Sequence, residues 1–107
     1  MTADLRLVQG DTRPSVTGTL KDTLTGSPID LSDVDTVNFQ MRKEDDHRYT
    51  VNAAADIVDA PAGQVRYSWG ANDLSNVGLF LAQWELHYDD ATVQTTDPPN
   101  TIEVRRQ

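Results

Sequence analysis

"VDTVNFQMRK", residues 34–43, decides the class of fold. Val37, Phe39 and Met41 alternate with Asn38, Gln40 and Arg42, and a period of two places one set on a core face and the other toward water. That is the pattern of a β-strand. "GQVRYSWG" at 63–70 repeats it, with Val65, Tyr67 and Trp69 against Gln64, Arg66 and Ser68. "FLAQWELHY" at 80–88 carries Phe80, Ala82, Trp84, Leu86 and Tyr88 in phase, opposite Gln83, Glu85 and His87. Shorter segments read the same way at 5–8, 15–22, 48–53, 55–59, 92–95 and 101–104.

Turn chemistry separates these segments. Leu24-Thr25-Gly26-Ser27-Pro28, Glu44-Asp45-Asp46, Asp59-Ala60-Pro61-Ala62-Gly63, Asp89-Asp90 and Asp97-Pro98-Pro99-Asn100 hold residues that tolerate positive φ or fix it near −65°. Turns at intervals of roughly ten residues predict an all-β fold, an immunoglobulin-like antiparallel β-sandwich of about 7–9 short strands. The one helical candidate is "GANDLSNVG" at 70–78. Asn72 or Asp73 caps at most one turn there, over 72–77, before Gly78 ends it.

The stretch "GDTRPSVTGTLKD", 10–22, reads as an edge strand. Val16, Gly18 and Leu20 share one face and Ser15, Thr17, Thr19 and Lys21 the other, with Pro14 at the entry, where a missing amide is tolerated. The central glycine marks a bulge or a close approach by other chain. Threonine and lysine outside suit an edge that must avoid random pairing.

With 107 residues, the chain has room for one core, a single domain over 1–107 with flexible ends at 1–4 and 105–107; a domain of this size hides roughly two-thirds of its unfolded surface. Hydrophobic residues at 37% and charged residues at 24% are ordinary globular usage, despite a mean hydropathy of −0.53. Seventeen acidic against nine basic residues give a net charge of −8. Such a field repels phosphate backbones and anionic lipid, so neither nucleic acid nor membrane is expected as a partner. Arg105-Arg106 is the only arginine pair, and no basic stripe exists. The absence of cysteine removes disulfides, thiolate nucleophiles and Cys-ligated zinc. "MTADLRLVQGDT" lacks the basic and apolar regions of a signal peptide, so synthesis in a host cytoplasm is expected.

Several clusters invite a chemical reading. "DLSDVD" at 30–35 offers Asp30, Asp33 and Asp35, but it has no glycine at a sharp turn, and the twelfth position from Asp30 is Met41, which cannot ligate calcium. A capped turn before the Val37 strand is the reading. "KEDDH" at 43–47 groups Glu44, Asp45, Asp46 and His47 as a hard-cation or general-base site would, and equally as a solvated hairpin tip does; the tip is preferred, as a contact surface. Glu85 and His87 share a face, but no cysteine or G-x-S-x-G elbow accompanies them, leaving a hydrolase without a nucleophile. Trp69 and Trp84 could stack on sugars, yet both are in phase with core residues and read as core. The sequence therefore assigns no catalytic, metal or cofactor residue. Contacts with partners are expected at Thr2, Ala3 and Asp4 and at the tip formed by Arg42, Lys43, Glu44, Asp45, Asp46 and His47.

Taken in order, Gly10-Asp11-Thr12, Ile29-Asp30-Leu31, Gly63-Gln64-Val65-Arg66-Tyr67, Val77-Gly78-Leu79-Phe80, Trp84-Glu85-Leu86 and Ile102-Glu103-Val104 resemble the N-terminal domain family of phage baseplate upper proteins over residues 5–104. The resemblance implies a β-sandwich that attaches a part to the distal end of a tailed phage, without catalysis or cofactor, in a symmetric assembly with other virion proteins. Larger members continue into a helical trimerising stalk that carries receptor-binding proteins; this chain stops at Gln107, so the docking role is the one expected of it. An acidic, cysteine-free, site-poor β domain also suits a capsid decoration protein bridging subunits on the outer shell, or a carbohydrate- or protein-binding module, because fold does not determine function.

Overall fold

The computed structural model describes residues 5–13, 15–22, 24–96 and 100–107. Eight strands form: β1 (Leu5–Val8), β2 (Val16–Thr19), β3 (Val34–Lys43), β4 (Tyr49–Asp59), β5 (Gln64–Tyr67), β6 (Gly78–Tyr88), β7 (Val93–Thr95) and β8 (Asn100–Arg105). They are hydrogen-bonded in the order β1-β8-β6-β3-β4-β5-β2, with β7 beside the far end of β6. The path curls on itself, so that β2 comes to lie over β6: a Cβ placed on Gly18 would meet the Trp84 indole at 3.6 Å. The result is the expected all-β, sandwich-like fold.

β4 makes the curl. Its first half pairs with β3, Val37 opposite Ala55 and Met41 opposite Val51, and its second half pairs with β5, Asp56 opposite Arg66. One strand thus belongs to both layers, as at the corners of orthogonal sandwiches. The segments expected at 48–53 and 55–59 are this one strand. Ala53-Ala54-Ala55 offers neither a turn residue nor a bulky side chain, and the chain runs through.

The alternating residues form the core. Phe39, Met41 and Leu86 are wholly buried, as are Val37, Val65, Phe80 and Ile102 to within 1%. Phe39 is its centre: Tyr67 stacks on it at 4.8 Å, and Trp69 and Trp84 meet it edge-on at 5.5 and 5.0 Å, geometries that aromatic quadrupoles favour.

Two features differ from an antiparallel sandwich with one helical turn. β1 runs parallel to β8, Leu5 opposite Ile102 through Val8 opposite Arg105, which brings the first and last strands together. Residues 71–74 form turns with no helix. There Asp73 does not cap a helix; its Oδ2 accepts the Gly70 amide at 2.7 Å and the Tyr67 hydroxyl at 2.5 Å. The edge reading of 15–22 holds, since β2 ends the strand order and pairs with β5 alone. Its register is continuous, so Gly18 marks close approach to Trp84 and not a bulge. Pro14 lies outside the described residues.

Candidate functional site

The β3–β4 hairpin tip is the surface the sequence singled out. Strand pairing carries β3 to Lys43 opposite Phe80, and the Glu44 amide then donates to the Leu79 carbonyl at 3.1 Å, anchoring the base of the tip to β6. Beyond it Glu44, Asp45, Asp46 and His47 are exposed, while Arg42 and Lys43 are half-buried. Arg42 braces the turn from within: its Nη1 donates to the Asp46 carbonyl at 3.0 Å. The Asp46 carboxylate accepts the Arg48 amide at 3.0 Å, and that bond holds its pKa below the ordinary carboxylate value against the opposing effect of desolvation. The structure therefore brings Arg42 through His47 together on a tied, solvent-facing turn. Thr2, Ala3 and Asp4 lie outside the described residues.

Other polar clusters are committed to local bonds. Asp30 Oδ1 accepts from the Ser32 hydroxyl at 2.6 Å and the Ser32 amide at 2.9 Å, closing an Asx turn and lowering the Asp30 pKa, the hydroxyl bond being the larger cause. Asp90 does the same with Thr92 and is lowered likewise. Among the described residues no group of three or more His, Asp or Glu side chains is placed to hold a metal ion. Glu85 Oε1 and His87 Nε2 lie 2.7 Å apart on the outer face of β6, beside Thr95 and Val93 of β7. Trp69 and Trp84 are 5% and 2% exposed, so neither presents a ring face on which a sugar could stack.

Two arrangements had no signal in the sequence. On the outer face of the large layer Gln40 is only 4% exposed. The Gln83 amide donates to its Oε1 at 2.9 Å and to the Tyr49 hydroxyl at 3.1 Å, and together these side chains roof a position that alternation assigns to water. The second is the carboxylate of Asp73 beneath Tyr67. Burial raises the Tyr67 pKa well above the usual phenol value, and the Asp73 hydrogen bond and charge add to the rise.

In this curled, sandwich-like β domain the described clusters of Asp30, Asp46, Asp73 and Asp90 shape turns, and those of Gln40, Gln83 and Tyr49 bond across strands. The family model of the BppU N-terminal domain matches residues 4–98, and the chain belongs to that family, a structural domain of phage baseplate upper proteins. Membership places it among virion proteins. The match stops before β8, although Ile102 and Val104 of that strand are core residues. No curated protein matches the chain.

Proposed function

We propose that this domain is a non-enzymatic docking module of the tail or baseplate, which attaches to neighbouring virion proteins in a symmetric assembly. The observation that carries the reading is the family match across residues 4–98, and the arrangement of the surface supports it. The exposed polar side chains of Asp30, Asp46 and Asp90 are engaged in shaping turns, which suits a rigid part that meets other rigid parts. Partner contacts fall at the Arg42–His47 tip and at Thr2, Ala3 and Asp4.

Quantitative mass spectrometry of purified virions, with immunogold labelling, tests the proposal. Label at the tail tip, with copies in the range of a low-order ring, is the expected result. Copies in the number of a capsid lattice, with label over the head, would replace it with decoration of the shell. Absence of the polypeptide from virions would end both.

A further inference from the structure

Alternation along β3 sends Asn38, Gln40 and Arg42 to the outer face of the larger layer, away from the core. Strand pairing completes three rows there: Ala54, Asn38 and Glu85; Asn52, Gln40 and Gln83; Tyr49, Arg42 and Leu81. All of them lie on β3, β4 and β6, every residue of which is described. Asn52 and Ala54 are exposed, Tyr49 is 44% exposed, and Asn38, Leu81 and Gln83 are half-buried. The rows therefore form a surface that another molecule can reach.

The long side chains lie across this face and not out from it. Gln83 reaches over β3, donating to Gln40 Oε1 at 2.9 Å and to the Tyr49 hydroxyl at 3.1 Å, and Gln40 Nε2 donates to Asn52 Oδ1 at 3.5 Å. Association ordinarily has to freeze such side chains; here folding has already ordered them. The Asn52 Nδ2 group, the Tyr49 hydroxyl proton and Gln83 Oε1 have no partner among the described residues. The rows are also electrically neutral, in a chain of net charge −8. Their one acid, Glu85, is bonded to His87 at 2.7 Å, and their one cation, Arg42, to the Asp46 carbonyl at 3.0 Å.

We propose that this face meets the same face of a second copy of the chain across a two-fold axis. Three observations select that occupant. Identical chains of charge −8 repel each other, and a neutral face is where they approach with least repulsion. Amides are their own complement, since each brings a donor and an acceptor; the Asn52, Gln83 and Tyr49 groups of one copy thus satisfy those of the other, as an isologous contact requires. The extent of the face agrees. From Thr36 to Arg42 along β3, and from β4 across β6 to β7 and β8, strand spacings give about 450 Å² in plan on each copy, and the two together approach the roughly 1,000 Å² at which specific interfaces begin. The dimer is therefore a weak one, made effective by the local concentration that an assembly provides.

The proposal rests on the docking reading above, in which copies stand side by side, and the test separates the two. Sedimentation velocity of the chain from about 10 µM to about 1 mM should show monomer and dimer in concentration-dependent exchange. Raising sodium chloride from about 50 mM to about 500 mM should tighten the dimer severalfold, because salt screens the repulsion between the copies. In ¹⁵N spectra the same concentration series should shift the Asn38, Asn52 and Ala54 amides and the Gln83 side-chain amide. Asn52→Lys combined with Ala54→Lys, both exposed positions, lowers the overall repulsion yet places like charges in the contact, and should weaken the dimer by about tenfold; if that variant does not fold, the salt response and the shifted amides give the answer. A monomer at every concentration, a dimer that salt weakens, shifts confined to the hairpin tip or the acidic turns, or a folded double variant that dimerises as the parent does overturns the proposal. A monomer whose double variant is missing from virions also overturns it and gives the face to another virion protein. Each of these leaves the docking role standing; absence of the parent chain from virions overturns the docking role itself.

Discussion

Replacing Asp73 by alanine removes the acceptor for two donors at once, the Tyr67 hydroxyl and the Gly70 amide. Hydrogen bonds to a charged group contribute about 1.5–3 kcal/mol each, and a buried hydroxyl left without a partner costs about 1–3 kcal/mol. Tyr67 is 7% exposed, so water reaches its hydroxyl poorly, whereas the Gly70 amide is exposed and recovers a water bond. Asp73→Ala should therefore lose about 2–4 kcal/mol. Tyr67→Phe, which deletes the donor and leaves the carboxylate bonded to Gly70, should lose about 1–2 kcal/mol. Urea unfolding measures both; with a slope of about 2 kcal/mol/M, Asp73→Ala lowers the midpoint by about 1–2 M. The double variant isolates the pair, with an expected coupling of about 1–2 kcal/mol. Additivity of the two single changes would refute the reasoning. The same pair carries a pH signature. The folded phenol has a raised pKa, so its contribution is complete below the unfolded value near 10 and is lost as pH climbs through the folded value. Stability in the parent should fall above about pH 10, more steeply than in Tyr67→Phe.

Gly63 and Gly26 provide a matched test of crowding. Both have positive φ, but a Cβ on Gly63 would lie 2.7 Å from the Ile29 carbonyl oxygen and 2.8 Å from that of Leu20, while nothing lies within 4 Å of one on Gly26. Gly26→Ala should cost about 1–2 kcal/mol by backbone strain alone, and Gly63→Ala clearly more, read from thermal midpoints. On the acid side, Asp30 and Asp90 have lowered pKa values through their bonds to Ser32 and Thr92. Their contribution is present above the unfolded carboxylate value and lost as pH falls through the folded one, so Asp30→Asn should flatten the acid limb of a stability-versus-pH curve. A chain ended after residue 98 should show no cooperative unfolding by circular dichroism, because it removes Ile102 and Val104 from the core and leaves β1 without a strand partner.

How much was legible depended on whether a residue's role is local. The strands β3, β5 and β6 could be read because alternation is a property of a few consecutive side chains, and their core residues, from Val37 to Leu86, are buried as the pattern requires. β4 was read as two pieces because its alanines provide no contrast between faces. The parallel pairing of β1 was hidden because it depends on a strand at the other end of the chain. Gln40 was read as wet and is roofed, since the cover comes from Gln83 and Tyr49 on neighbouring strands. For the tip, position and exposure were legible in the run of charges, but the brace from Arg42 to the Asp46 carbonyl was not. That bond depends on how the turn closes.

β6 changes partners along its length. β8 pairs with only the first part of β6, Gly78 to Ala82, and β7 takes the next part from Glu85. Between them, at Trp84, β6 is bonded to loop backbone, its carbonyl accepting the Thr96 amide at 2.9 Å, and to the Thr96 hydroxyl, which its amide reaches at 3.0 Å. This is where the larger layer changes partner strands, and it is also where Gly18 of the smaller layer passes overhead. A Cβ at position 18 would already stand in van der Waals contact with the indole, so a side chain larger than alanine's would push β2 away from β6, and glycine lets the two lie close. Trp84 is thus held from two sides, by the Thr96 bonds within its own layer and by Gly18 of the smaller layer above it.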